Sequence, residues 1–232
     1  MNSQPDPDFM ANLGEIPDLP PVPAASTLPP LRAPSLPAAP TRSAVQSRRL
    51  AALVGSLSWL GMHLAVYGVR TDLHALPPEY VAAQVGLPVA VAGGSLYVAL
   101  GAGRLGLGRK IGLIAALSLL GPASYCVLAL GTPAPHPPEP GSWVDTVLCF
   151  DLTVAWVAVP LFLAAVTLRN VFAAGARWRS ALVGAAVGLF AGATMNLHCP
   201  NVAPVHMLLG HGLAVLIATA VGALALAYHA EA

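Results

Sequence analysis

Six long apolar runs follow one another over most of the chain, separated by short polar segments. They cover residues 50–69, 80–101, 110–131, 144–168, 181–197 and 206–228. A helix needs about 20 predominantly apolar residues, rising about 1.5 Å each, to cross the hydrocarbon core of a bilayer. The pattern therefore predicts an all-α fold in which residues 45–232 form a bundle of six transmembrane helices.

The first 44 residues follow a different pattern. They contain eleven prolines by Pro40 and no comparable apolar run, and up to that point four acidic residues outnumber the single Arg32. This composition predicts a disordered, acidic, Pro-rich tail over residues 1–44. Within it, Phe9, Leu13 and Ile16 stand at helical spacing, which is typical of a segment that folds onto a partner's groove. An unstructured, solvated tail is the alternative.

Composition and charge support a membrane protein and give its orientation. Of all residues 56% are hydrophobic and 9% charged, and the mean hydropathy is +0.70, whereas soluble domains are roughly 25% charged. Short cytoplasmic loops retain Lys and Arg during insertion. Basic residues occur before the first run and in every second loop, and the alternate loops hold only Arg70. We therefore expect a multi-pass protein of the bacterial inner membrane with both termini in the cytoplasm.

Motifs of enzymes are not evident. The stretch GAGRLG matches a dinucleotide-binding pattern, but it follows a long apolar run rather than a short strand. Gly184, Gly188 and Gly192 recur every fourth residue, which favours close approach of another helix. We expect neither enzymatic activity nor direct binding of nucleic acid.

Polar side chains within the runs concentrate in the half that the loop charges place outside. Most of them belong to the fourth, fifth and sixth runs or to the stretch HCPNVAPVHMLLGH (198–211). Asp151 is a carboxylate about 10 Å into its run, and such a group requires a partner or a function. We consider His211 and His63, which lies near the middle of the first run, as candidate partners, and a protonated form of Asp151 itself as the alternative.

Three classes of function fit a polar cluster on one side of a membrane. A small-solute or metal transporter needs a polar path through both halves, and the inner half is nearly bare of polar groups. A haem- or quinone-binding redox protein would use inward-facing histidines, for which His63 and His211 are candidates. A sensor needs only an outer site and a cytoplasmic output, and the sequence contains both.

The chemistry of the outer cluster remains open at this level. Cys149 and Cys199 stand near the outer ends of the fourth and fifth runs, where an oxidising periplasm permits a disulfide. Binding of zinc or a soft metal by the cluster is the second alternative. The sequence does not require a cofactor. The candidate ligands of the metal are His198, Cys199, His206 and His211, with Asp145 nearby. A purely structural role for the cysteines is the third alternative.

Residues 147–170 and 177–224 resemble the NrsF-type membrane anti-sigma factors, especially myxobacterial members that include light and carotenoid regulators. The shared features are a Cys entering the fourth span, a small-residue-rich fifth span ending in Cys-Pro, and the Pro-x-His and Leu-Gly-His pairs that follow. The resemblance implies a cytoplasmic N-terminal segment that holds an extracytoplasmic-function sigma factor until an outer-side signal releases it. It also implies that Cys149 and Cys199 are the family's cysteine pair. The signal would be light or singlet oxygen, redox stress or metal stress.

Overall fold

The computed structural model describes residues 42–101, 111–131, 143–168 and 176–226. These residues form six long helices with no strand among them. The bounds are α1 (Arg42–Tyr67), α2 (78–101), α3 (Ile111–Gly131), α4 (Trp143–Thr167), α5 (Ala176–His198) and α6 (204–226). All six are long and apolar enough to cross a membrane. The predicted all-α fold with six helices long and apolar enough to span a membrane is confirmed.

The boundaries differ from the prediction by more than two residues at two helix starts. Helix α1 begins at Arg42 rather than at 50, so the last residues assigned to the tail are helical. Helix α5 begins at Ala176 rather than at 181. In both cases the helix begins with a basic, polar stretch, which a search for apolar runs does not include. The rest of the predicted tail, including Phe9, Leu13 and Ile16, lies outside the described residues.

Helix α5 lies at the centre of the bundle. It packs against each of the other five helices, and 89% of its most apolar window is buried, against 17–44% for the other helices. The other helices expose large apolar side chains to the surroundings, such as Val66 on α1 and Tyr97 on α2. An apolar exterior around one fully packed helix is the arrangement expected for a bundle in lipid.

Close packing of α5 against its neighbours depends on the glycines that the sequence marked. A Cβ atom at Gly184 would collide with the carbonyl oxygen of Ala218 on α6. One at Gly188 would lie 2.9 Å from Val215 Cα, and one at Gly192 would lie 2.9 Å from the Tyr125 ring of α3. The prediction that these glycines permit close helix approach is confirmed.

Two helices contain a π-type segment near the same end of the bundle. In α2 the segment is Ala82–Gly86, and in α6 it is Met207–Gly212, directly after the first turn. Such segments occur mostly as single turns inside α-helices and frequently accompany functional sites. Buried polar side chains lie on both: Gln84 on α2 and His211 on α6.

The connection between α1 and α2 folds back over this end of the bundle. Gly68 has a positive φ of 83°, which a glycine adopts without strain, and directs the chain across the end of α5. Arg70 then donates its backbone N–H to the carbonyl of Leu197 at 2.8 Å. Leu76 of this connection packs with Tyr80 at the start of α2 and with Val202, which follows α5. The first loop therefore covers the turn that follows α5.

Candidate functional site

The two cysteines that the sequence singled out meet at this end of the bundle. Cys149 lies in the second turn of α4, and Cys199 is the first residue after α5, where its N–H donates to the Met195 carbonyl at 2.7 Å. Their Sγ atoms are 3.6 Å apart. Both are free thiols; Cys199 is buried and Cys149 is half-buried. Fifty positions of sequence separate them, so the contact depends on the packing of α4 against α5.

His206 brings an imidazole to the same place. Pro204 occupies the first turn of α6, where its missing N–H needs no partner, and His206 follows on that turn. The Nε2 atom of His206 is 3.3 Å from Cys199 Sγ, and its Nδ1 is 3.1 Å from the hydroxyl of Thr146 on α4. The ring is almost completely buried. The histidine therefore connects α4, the Cys199 turn and α6.

His211 adds a second imidazole from the π-type segment of α6. It is fully buried, and its ring centroid is 5.3 Å from that of His206. Single ligand atoms of Cys149, Cys199, His206 and His211 all lie within 4.8 Å of one another. We refer to these four residues as the Cys/His cluster.

Hydrogen bonds around Asn196 determine which His211 nitrogen carries the proton. Asn196 donates from Nδ2 to the Gln84 carbonyl at 2.7 Å, so its Oδ1 faces the other way. That oxygen lies 2.8 Å from His211 Nδ1 and also accepts from the Tyr125 hydroxyl at 3.2 Å. Because an amide oxygen only accepts, Nδ1 must be the protonated nitrogen. In the neutral ring Nε2 then has a free lone pair, and it has no hydrogen-bond partner among the described residues.

A buried arginine holds the backbone of the Cys199 turn. Arg70 donates to the carbonyls of Cys199 and Pro200, each at 3.2 Å, and forms a two-pronged ion pair with Asp72 at 2.7 Å. The hydrogen bond to Asp72 raises the pKa of Arg70 above its already high ordinary value, so the guanidinium stays charged. From the sequence, Arg70 stood out only as the single basic residue of the alternate loops. A lone Arg-x-Asp in a loop without other basic residues was the available signal for this structural role.

The surroundings of Cys199 favour its thiolate. Hydrogen bonding with Cys149 lowers the pKa of Cys199, an effect that burial opposes and that the His206 imidazole reinforces. A thiolate is both the nucleophile and the metal ligand form of cysteine. The cluster can therefore support either oxidation of the thiol pair or coordination of a cation.

Two other predicted histidines lie outside the Cys/His cluster. His198 directs Nδ1 to the Gly68 carbonyl at 3.0 Å, and its ring packs near Tyr67 and Trp156. His63 contacts the Trp59 carbonyl at 3.0 Å and also packs against Trp156. His198, one of the candidate metal ligands, therefore lies outside the Cys/His cluster, and Cys149 belongs to the cluster instead. No contact of the described residues favours the haem, quinone or transporter alternatives.

Asp151 corrects another expectation. Its side chain is exposed on α4 and forms no hydrogen bond or ion pair with any described residue. Pairing with His211 or His63 was therefore wrong. Residues two positions apart on a helix point to nearly opposite sides. Because Cys149 faces the bundle interior, Asp151 faces away from it.

A family model matches most of the chain. The family model described as "Negative regulator of sigma F" matches residues 33–229. No curated protein and no solved structure shows significant similarity to the chain. The family model covers the six helices, the first loop and all four residues of the Cys/His cluster. The chain thus belongs to the NrsF family of negative regulators of sigma F.

Proposed function

We propose that this protein is an anti-sigma factor of the bacterial inner membrane. It holds an extracytoplasmic-function sigma factor at the cytoplasmic face and releases it when a signal acts on the Cys/His cluster from the outer side. The family description supports negative regulation of a sigma factor. The six apolar helices support the membrane location. The protein then represses transcription indirectly, with the sigma factor rather than nucleic acid as its partner.

The contact between Cys149 and Cys199 is the observation that carries the proposal. It joins α4 to the end of α5, and His206 extends it to α6. Helix α5 packs against all the other helices, so a displacement at its end changes contacts throughout the bundle. Tightly packed helices have few intermediate arrangements, and small shifts at one site become discrete rearrangements elsewhere. A signal that alters the thiol contact can thereby reach the opposite end of the bundle.

Charge supports the proposed orientation of the cluster. Arg48 and Arg49 lie near the start of α1, and Arg177 and Arg179 lie near the start of α5. Cys199 follows the other end of α5. The positive-inside rule assigns the arginine-bearing end to the cytoplasm. The cluster then faces the periplasm, and the N-terminal segment that precedes α1 starts on the cytoplasmic side, where a sigma factor is available.

Serine replacements of the cysteines test the proposal. We expect Cys149→Ser and Cys199→Ser each to lock a sigma-dependent reporter in one state, and the double variant to match the single ones because the pair acts as a unit. Cells are challenged with peroxide, with light plus a photosensitiser, and with zinc and copper salts. Cys126→Ser is the matched control because Cys126 lies outside the Cys/His cluster.

Immunoblots of membrane fractions accompany each reporter measurement. A structural role for the cysteines predicts lower abundance with an intact response in the remaining protein. Normal induction of both single variants at normal abundance would rule out the thiol pair as the sensor. A wild-type strain that responds to none of the challenges would contradict this set of signals.

A further inference from the structure

We propose that Cys149, Cys199, His206 and His211 form a complete four-ligand site for one thiophilic d10 cation, Zn²⁺ or Cu⁺. Binding itself follows from the geometry of the four residues. Its regulatory consequence, control of sigma-factor release by the cation, rests on the proposed function. The sequence pattern suggested a different set that included His198, and the tertiary structure supplies the fourth ligand from α4 instead.

The distances match a tetrahedral site before any cation is present. Zinc–sulfur bonds of about 2.3 Å and zinc–nitrogen bonds of about 2.0–2.1 Å imply tetrahedral edges of about 3.8 Å between sulfurs and about 3.6 Å between sulfur and nitrogen. The Cys149 and Cys199 sulfurs are 3.6 Å apart, and Cys199 Sγ is 3.3 Å from His206 Nε2. All four ligand atoms lie within 4.8 Å of one another. The two shortest separations are already close to these edges, and contraction of the others by at most about 1.5 Å would complete the site.

Each histidine has a partner that orients it as a ligand. His211 donates from Nδ1 to Asn196 Oδ1, which leaves the Nε2 lone pair free. His206 has Thr146 at Nδ1 and presents Nε2 to Cys199. Hydrogen bonding at the nitrogen that does not bind the metal is the usual arrangement at metal-ligating histidines. A buried ring nitrogen without a hydrogen-bond partner is costly, and a cation at His211 Nε2 would remove that cost.

The ligand types select the class of cation. Two sulfurs and two imidazole nitrogens suit zinc and soft metals, whereas calcium and magnesium prefer oxygen. Both sulfurs bind Zn²⁺ as thiolates, any thiol proton passes to solvent, and two thiolates balance the charge of the ion in a buried site. Cu⁺ requires one thiolate for the same balance. Neither binding reaction transfers an electron.

Access to the site is through its least buried ligand. Cys149 is half-buried, whereas Cys199, His206 and His211 are buried. Gly210 borders the same space, and a Cβ there would lie 3.4 Å from Cys149 Cβ and 3.6 Å from His206 Nε2. The missing side chain keeps room beside the ligands.

The test uses the full chain purified in detergent or nanodiscs under reducing conditions. Zn²⁺, and separately Cu⁺ without oxygen, are titrated against a chelator of known affinity. We expect one ion per chain. Replacing Cys149 or Cys199 by Ser, or His206 or His211 by Ala, should lower affinity by at least 100-fold. Asn196→Ala should lower it by about 10- to 100-fold, as loss of a group that orients a ligand does. His198→Gln and Cys126→Ser should leave affinity unchanged.

A direct spectroscopic measurement on the wild-type chain avoids dependence on variants that fail to fold. Co²⁺ bound at this site should show the intense visible absorption of tetrahedral coordination and sulfur-to-metal charge transfer. No bound ion, no such absorption, or affinity unaffected by both histidine variants would overturn the proposal. So would conversion of the thiols to a disulfide by peroxide in a chain that binds neither cation.

The arms of the experiment separate this proposal from the proposed function. The chelator titrations decide between Zn²⁺ and Cu⁺. Stoichiometric binding with no reporter response to either ion supports the site and overturns its regulatory role. Cysteine variants that lock the reporter in a chain that binds neither ion support the anti-sigma function and overturn the metal site.

Discussion

Replacing Arg70 by alanine should release the turn that carries Cys199. The guanidinium is buried, donates to the carbonyls of Cys199 and Pro200, and is held in place by Asp72. In the variant, these two carbonyls lose their charged donor. Pro200 is exposed, so water can replace the lost bond at its carbonyl, whereas Cys199 is buried. The lost hydrogen bond at the Cys199 carbonyl therefore determines how much the free energy of opening the turn changes.

The free energy follows from that one hydrogen bond. A bond from a charged donor contributes about 1.5–3 kcal/mol, and the 3.2 Å distance between Arg70 Nη1 and the Cys199 carbonyl lies at the long end of the normal range. We therefore expect local opening of the turn to become easier by about 2 kcal/mol. Since about 1.4 kcal/mol corresponds to a factor of ten, the open population should rise about 30-fold.

Reaction of the Cys199 thiol with N-ethylmaleimide measures this opening. Cys126→Ser and Cys149→Ser form the background, so that Cys199 is the only thiol, and a buried thiol reacts only when the turn opens. Arg70→Ala should react about 30-fold faster than the background chain. His74→Ala is the control because His74 is exposed in the same loop. Arg70→Lys should react at an intermediate rate, since lysine keeps the charge but loses the planar fork. Equal rates for Arg70→Ala and the background would refute the reasoning.

Two further predictions concern the helix packing and the output. Gly184→Val should lower the free energy of unfolding by about 1–3 kcal/mol or more, and with it the thermal unfolding temperature, because the valine side chain meets backbone of α6. Gly93→Ala should leave both unchanged, since no atom lies within 4 Å of the added Cβ. Equal stability of the two variants would contradict the close contact of α5 and α6. Deletion of residues 2–41, before α1, should leave the protein in the membrane but unable to retain the sigma factor, giving constitutive reporter expression. If the truncated chain still captures the sigma factor in a pull-down, the segments 102–110 and 169–175 become the candidates for binding it.

The sequence by itself determined the six helices and the positions on α5 where another helix comes close. Long apolar runs predict spans because the thickness of a bilayer sets a length that each run meets independently of the others. Gly184 and Gly188 marked close helix approach because only glycine lets two backbones come that near. The proximity of Cys149 and Cys199 could also be predicted, since both residues lie near the ends of runs on the same side of the membrane. These features depend on composition and order along the chain, with no reference to helix rotation.

Only the tertiary structure decided which side chains meet. The spans are apolar on nearly all sides, so the sequence contains no polar face that fixes the rotation of each helix about its axis. His198 and Cys199 are neighbours in sequence, yet His198 contacts Gly68 while Cys199 contacts Cys149 and His206. Asp151, two residues after Cys149, points away from the bundle for the same reason. Successive residues of a helix differ in direction by about 100°. The rotation of each helix about its axis therefore decides which side chains enter the cluster, and packing against the neighbouring helices fixes that rotation.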